Sequence, residues 1–331
     1  MHRPKILYVY RQSGHHYKVL DYEILSSKYT VERFAYDAYN LRTCIDLKRK
    51  IQQADLVFFW FATALSGLGV YWANHCKIPS VIVAGGFDVA NYPPMRHGGR
   101  FRPLQKYPIR YALEHASLVL PVSHFNENEM LSFTRPQKYQ MIYNGVDVDF
   151  NQAPPPMATR AAQIVTVGSI DPFYSRMKGH FHFAEIAKRM DDVNCVIIGP
   201  NKCPKTLDQL QTIAEGKIDY RGELPHAEVL NVFRQSKIYL QLSHYESFGV
   251  TVPEAMACGC HPIVSNRGAL PEIVEEWGDV VELDDYSQIQ QLVESRIGNN
   301  QATPPDYAQR AEAFSAENRK QALLEKISQL L

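Results

Sequence analysis

Short apolar runs recur along the first half of the chain at 6–10, 31–35, 56–61, 81–84, 118–121 and 140–142, separated by polar stretches long enough to hold helices. That alternation predicts strands and helices in turn, which is the signature of a parallel α/β sheet. After Asp149 comes a run that includes Pro154, Pro155 and Pro156, which cannot continue a helix or a central strand, so a linker is expected there between domains at 1–149 and 157–306. The pattern then restarts with strands at 164–167, 195–198, 218–220, 238–242 and 262–265 and helices at 180–190, 207–214, 226–235 and 252–258. Residues 307–331 read as one amphipathic helix packing back toward the first domain. Two doubly wound sheets in tandem bind ligands beyond the carboxyl ends of their strands, so the site is expected between the domains.

Length agrees with two domains, since 331 residues exceed what one core usually serves. Lys+Arg and Asp+Glu balance at 35 each, which argues against a nucleic-acid partner. The balance hides a contrast, because residues 1–150 hold 18 Lys/Arg against 12 Asp/Glu and the remainder is correspondingly acidic. Six cysteines without a C-x-x-C pair predict free thiols and a cytoplasmic setting. Residues 56–76 form a twenty-one-residue stretch without a charge, long enough to span a bilayer. Its internal order of apolar run, Ser66-Gly67-Leu68-Gly69 and a second apolar run after Pro79 reads instead as a buried β-α-β unit.

The segment 243–265 carries the most chemistry, reading as strand, turn, short helix, glycine stop and strand. Gly249 permits close approach of backbone to a ligand, and amides around Gly249 to Val252 at a helix start suit an anion such as a diphosphate. Thr251 and Glu254 have the spacing of a capping box, which would give Glu254 a purely structural role.

Taken whole, this segment resembles the retaining nucleotide-sugar glycosyltransferases of family 4, whose GT-B fold pairs two Rossmann-like domains facing a central cleft. Glu246 and Glu254 have the E-x7-E spacing of that family, and Gly168, Lys178-Gly179, Gly222, Ala257, Gly259 and Asn144-Gly145-Val146-Asp147 stand in family order. The first domain matches loosely, through Gly14, Gly85-Gly86-Phe87-Asp88 and Pro121-Val122-Ser123.

The resemblance implies a nucleoside-diphosphate sugar, UDP- or GDP-linked, as co-substrate, with no cofactor and no essential metal. It implies that Glu254 holds ribose hydroxyls, that Glu246 holds the transferred hexose, and that Lys178 neutralises the departing diphosphate. Phe248, Gly249, Val250 and Thr251 would offer amides to sugar and phosphate, with Gly168, Ser169, Gly222 and Leu224 also on the donor side. The family usually has arginine where this chain has Ser169, and Arg176 is expected to supply the missing guanidinium by looping back. Asp88 falls where the family often has a histidine facing the anomeric carbon, although a tight turn capped by Asp88 explains it as well. Gly14, His15 and Ser123 are expected on the acceptor or phosphate side, with Ser123 equally suited to a helix N-cap.

Gly67-Leu68-Gly69 starts like a dinucleotide fingerprint but has Trp72 in place of the third glycine. Asp147-Val148-Asp149 and Cys258-Gly259-Cys260-His261 lack the context of metal sites. Basic residues at Arg42, Lys48 to Lys50, Arg96, Arg100, Arg102, Lys106 and Arg110 are either a solvated face or a seat on the anionic inner face of the plasma membrane. The expected reaction builds cell-surface glycan, polysaccharide or glycolipid. An epimerase or phosphorylase on the same scaffold, or a non-catalytic binding subunit, remains open at this level.

Overall fold

The computed structural model describes residues 3–12, 16–298 and 307–331. The chain divides into two units, Met1–Gly145 with Ala316–Leu331, and Val146–Ser315. The boundary precedes the prolines, because Arg160 donates from Nε to the Pro155 carbonyl at 2.9 Å and a Cβ on Gly259 would lie 2.8 Å from Pro154. The proline run is therefore packed structure of the second unit and not a linker.

The first unit is built on a five-stranded sheet of β1 (Lys5–Arg11), β2 (Thr30–Tyr36), β3 (Leu56–Trp60), β4 (Ser80–Ala84) and β5 (Leu118–Pro121), in the order β2-β1-β3-β4-β5. All pairings are parallel. Every residue of β3 and β4 is buried, which is why these strands read as continuous apolar runs and not as alternation. The charge-free stretch is thus β3, the helix Ala64–His75 and the approach to β4, and no helix of the described residues is long and apolar enough to cross a membrane.

The expected strand at 140–142 does not form. Its backbone runs beside β5, with Gln140 N–H donating to Val119 O and Ile142 N–H to Pro121 O, but Pro121 has no N–H to return to Gln140. A ladder missing that donor stops at a single bridge.

The second unit carries β6 (Ala161–Val167), β7 (Asn194–Ile198), β8 (Ile218–Tyr220), β9 (Ser236–Gln241), β10 (His261–Ser265) and β11 (Asp279–Val281), ordered β11-β10-β9-β6-β7-β8 and all parallel. The sequence pattern missed β11 because three residues, only one of them buried, show no period.

The C-terminal segment is not one helix. Tyr307–Glu312 stays in the second unit, and after Ala313–Ser315 the helix Ala316–Ser328 belongs to the first. Arg319 anchors it, with a fork of bonds from Nε and Nη2 to Asp21 at 2.5 and 2.7 Å and a further bond to the Tyr143 carbonyl at 2.7 Å. Both charged side chains are buried, so this pair is costly to break and fixes the docking of the helix.

Candidate active site

Strand β9 and its continuation alternate their side chains, so Tyr239, Gln241 and Ser243 share one face. They form a buried hydrogen-bonded row: Thr251 and Tyr239 hydroxyls meet at 2.6 Å, Tyr239 donates to Gln241, Gln241 Nε2 donates to Ser243 Oγ at 2.5 Å, and Ser243 donates to Glu246 Oε1 at 3.2 Å. The row ties the start of the helix Thr251–Ala257 to the Glu246 carboxylate. It uses the loop residues between them as a closed bracket.

Lys178 Nζ donates to the same Oε1 of Glu246 in a short ion pair. The pair forms because Gly179, at φ +74°, turns the chain tightly beneath Leu242, where a Cβ would overlap the Leu242 carbonyl oxygen. Gly268, at φ +64°, packs as closely on the Glu246 backbone, whose carbonyl accepts Ala269 N–H at 2.9 Å. Gly249 has φ +81°, a left-handed turn that opens the loop into its helix.

The capping box does not form. Thr251 is inside the helix with its hydroxyl on Tyr239, Glu254 accepts from His226, and Val250 stands at the N-cap with no side-chain cap. Val252 N–H is spent on the Gly249 carbonyl at 2.9 Å, which removes it from the expected anion-binding amides. Phe248 turns inward onto Phe314, ring centroids 5.5 Å apart, so only its backbone can face a ligand.

Glu254 is buried and its Oε1 accepts His226 Nε2 at 2.9 Å. That bond lifts the His226 pKa above its usual value, against the opposing effect of burial. A histidine with a raised folded pKa stabilises the fold fully below its unfolded pKa of about 6.5 and loses that contribution as pH climbs through the raised value. His226→Gln should therefore lower Tm more at mildly acidic than at alkaline pH. Equal losses at both, measured by calorimetry, would show the pair to be uncharged.

Gly168, Gly199 and Gly222 follow β6, β7 and β8 and lie side by side. Gly168 N–H donates to Ile198 O, Gly199 N–H donates to Gly222 O, and a Cβ on Gly199 would overlap the Gly168 carbonyl. A Cβ on Gly168 would come 2.8 Å from His180 Nε2 and 3.4 Å from Lys178 Cγ, so this glycine row abuts the Lys178 turn. His180 is fully buried, and desolvation pushes its pKa down to about 3, keeping it neutral. Ser169 Oγ reaches Asp171 at 3.4 Å, and Leu224 is half-buried beyond Gly222.

Arg176 is not in a loop. Asp171 caps a helix, Pro172–Met177, by accepting Phe173 and Tyr174 amides, and Arg176 projects from it exposed. Its reach is set by that helix and not by a flexible segment.

In the first unit Asp88 is buried and both its oxygens are taken, Oδ2 by Ala62 N–H at 3.0 Å and Oδ1 by Gly86 and Val89 N–H at 2.9 and 3.2 Å. Burial raises its pKa while the amides pull it back. These bonds join the turns after β3 and β4, which fits the turn-capping alternative for Asp88. Asp88→Asn should cost about 1–3 kcal/mol of stability, since an amide nitrogen would face an amide donor. Turnover by the folded fraction should hold, and a selective fall in kcat with unchanged Tm would overturn this assignment. Ser123 is the N-cap of the helix His124–Phe133, accepting Asn126 N–H at 2.9 Å. Gly14 and His15 lie outside the described residues.

The sequence pattern missed His226, Gly199 and the row of Tyr239, Gln241 and Ser243. It also missed His182, whose Nε2 lies 3.1 Å from His244 Nε2 and so joins the helix His180–Arg189 to the Glu246 loop. The period-two spacing of the three polar residues in an otherwise apolar strand was the available signal. Cys258 and Cys260 are buried, and His261 pairs with Tyr307 and Asp279. Among the described residues no three His, Cys, Asp or Glu side chains cluster as ligands.

Two parallel α/β units with this site define a GT-B glycosyltransferase fold, and solved structures agree. A protein from Anabaena, determined in complex with UDP and glucose, is similar with a TM-score of 0.77 at 15% identity, covering 98% of this chain and 100% of that one. Sucrose-phosphate synthase from Thermosynechococcus elongatus is similar with a TM-score of 0.77 at 14% identity, covering 99% of each chain. Residues 149–314 match the Glycosyl transferases group 1 family and residues 6–150 match Glycosyltransferase Family 4, so the chain belongs to glycosyltransferase family 4. O-antigen chain mannosyltransferase B of Escherichia coli is 24% identical over 280 residues, 75% of this chain and 70% of that enzyme. The phosphatidylinositol N-acetylglucosaminyltransferase GPI3 subunit of Saccharomyces cerevisiae is 27% identical over 183 residues, but this chain spans only 39% of its length.

Proposed function

We propose that the protein transfers a hexose from a UDP- or GDP-linked donor to a hydroxyl of a glycan or glycolipid, with retained anomeric configuration and no essential metal. The reading places it in the cytoplasm, in synthesis of cell-surface glycan, polysaccharide or glycolipid. The observation that supports it best is the Lys178–Glu246 pair held between the glycine row and the Gly249 turn, with buried Glu254 at the other end of the same bracket. Each carboxylate is held through Oε1, which leaves Oε2 to accept hydroxyls of the sugar at Glu246 and of the ribose at Glu254. The Lys178 ammonium has donors beyond the one on Glu246 for the distal phosphate.

In this reaction the bond from the anomeric carbon to the phosphate oxygen breaks and a bond to the acceptor oxygen forms on the same face. The acceptor proton passes to the leaving phosphate, so no protein base is needed. Lys178 acts on charge that grows as that bond lengthens, which makes it an electrostatic catalyst. Arg176 reaches the same phosphates from its exposed helix and takes the place of the arginine that Ser169 lacks.

A thermal-shift screen of nucleotide sugars identifies the donor, and NMR of the product anomer then tests the stereochemistry. An inverted linkage would remove the retaining reading, and activity abolished by EDTA would remove metal independence. Arg176→Ala should raise donor KM about ten-fold or more, as loss of a charged contact of roughly 1.5–3 kcal/mol requires. Unchanged kinetics would return Arg176 to the solvated surface.

A further inference from the structure

Three helices of the first unit lie side by side on one face of its sheet: Leu41–Ile51, Ala64–His75 and Pro103–His115. Parallel strands joined in the order β2-β1-β3-β4-β5 by right-handed crossovers put all three on that face. They pack closely, since a Cβ on Gly67 would lie 2.6 Å from the Pro108 carbonyl and one on Gly69 would touch Leu47. Their outer surface is unusual. Leu41 and Ile45 are 76% and 58% exposed one turn apart, Leu68 and Tyr71 follow on the middle helix, and Leu104 and Tyr107 are 93% and 73% exposed on the third. Helical spacing sets each pair on one stripe, and the Gly67–Pro108 contact sets the middle and third helices edge to edge.

Charge is arranged around this apolar strip. The middle helix has none, being part of the uncharged stretch at 56–76. The outer helices carry Arg42, Lys48, Arg49 and Lys50 on one side and Lys106 and Arg110 on the other, with Arg102 at the helix start. Arg42 and Arg49 share Asp46, Arg110 holds Glu114 and Lys50 holds Glu32 of β2, which leaves Lys48, Lys106 and Arg102 outside these ion pairs. The unit as a whole holds 21 Lys/Arg against 12 Asp/Glu, and the second unit 14 against 23.

We propose that this three-helix face rests on an anionic lipid bilayer, with Leu41, Ile45, Leu68, Tyr71, Leu104 and Tyr107 entering the headgroup region. Lys48, Lys106 and Arg102 pair there with lipid phosphates. Apolar and tyrosyl side chains edged by Lys and Arg are the composition of an interfacial surface, and a charge-free centre is the part that can be desolvated at low cost. A second copy of the chain is a poorer occupant. Two-fold pairing sets each patch on itself, bringing basic flanks together with no acid of these helices left to neutralise them. The proposal is independent of which sugar is transferred and of whether the reaction retains configuration.

Co-sedimentation with vesicles of phosphatidylcholine alone or mixed with phosphatidylglycerol tests it. The intact protein should pellet with the anionic vesicles at about 0.1 M salt and be released at about 1 M, where screening is nearly complete. Lys48→Gln with Lys106→Gln should lower anionic-vesicle affinity roughly 25-fold, about five-fold for each charge removed near the surface. Leu104→Ser with Tyr107→Ser should lower it further in the salt-resistant part, with circular dichroism and Tm unchanged because both sites are exposed. Equal recovery on neutral and anionic vesicles at low salt would overturn the proposal. So would a dimer in analytical ultracentrifugation that the Leu104/Tyr107 variant dissociates.

Discussion

Lys178→Ala should lower kcat by about 10²–10³-fold while changing donor KM much less, because removal of one preorganised charge from a developing anion costs roughly that factor. The split matters, since loss of a lysine that bound ground and transition states equally would raise KM at constant kcat. The same substitution takes the partner from Glu246, which keeps Ser243 and a position largely out of solvent. Lys178 itself is 29% exposed, so screening limits the loss and Tm should fall by only a few degrees. Glu246→Gln should also depress kcat, and the double variant should lose less than the two single losses combined, because the groups share one bond. Steady-state kinetics with the identified donor checks all three variants. A Lys178→Ala enzyme within about two-fold of the original kcat would remove Lys178 from the chemistry.

Gly179→Ala should destabilise the second unit by at least about 3 kcal/mol and lower Tm by roughly 6–12 °C. Two causes add. A φ of +74° is left-handed, which costs a side chain about 1–2 kcal/mol, and the new Cβ overlaps the backbone carbonyl of Leu242, which cannot rotate away. Gly222→Ala separates them, since Gly222 has nearly the same φ, +72°, but nothing within 4 Å of its Cβ position. It should show only the conformational cost. Leu242 immediately precedes Ser243, so the Gly179 variant should also part Lys178 from Glu246 and lose activity beyond its loss of folded protein. Equal Tm shifts for the two alanines would show that the Leu242 contact relaxes freely.

The segment from β9 through Glu254 was legible because its logic is local: an apolar strand, a glycine turn, a short helix and a second glycine follow one another within about two dozen residues. The same locality misled at Thr251 and Glu254, whose spacing fits a capping box. In the fold Tyr239 and His226, twelve and twenty-eight residues away, take those two side chains instead. Asp88 and Ser123 show the reverse case, where the plainer of two available roles, turn and N-cap, is the one the hydrogen bonds fill. The uncharged stretch at 56–76 was read correctly as β-α-β, yet its exposed residues Leu68 and Tyr71 gained meaning only beside neighbouring helices.

By itself, the sequence determined the class of the protein: two parallel α/β sheets, most of their strand positions, and the acidic pair with its glycine turn. Those features depend on hydrophobic period and backbone freedom, which act over a few residues. Tertiary structure alone decided where the chain divides, that the last helix returns to the first unit through Arg319 and Asp21, and which partner each carboxylate takes. Such pairings join residues tens to hundreds of positions apart, and their free energy comes from burial and mutual desolvation, which no local pattern encodes.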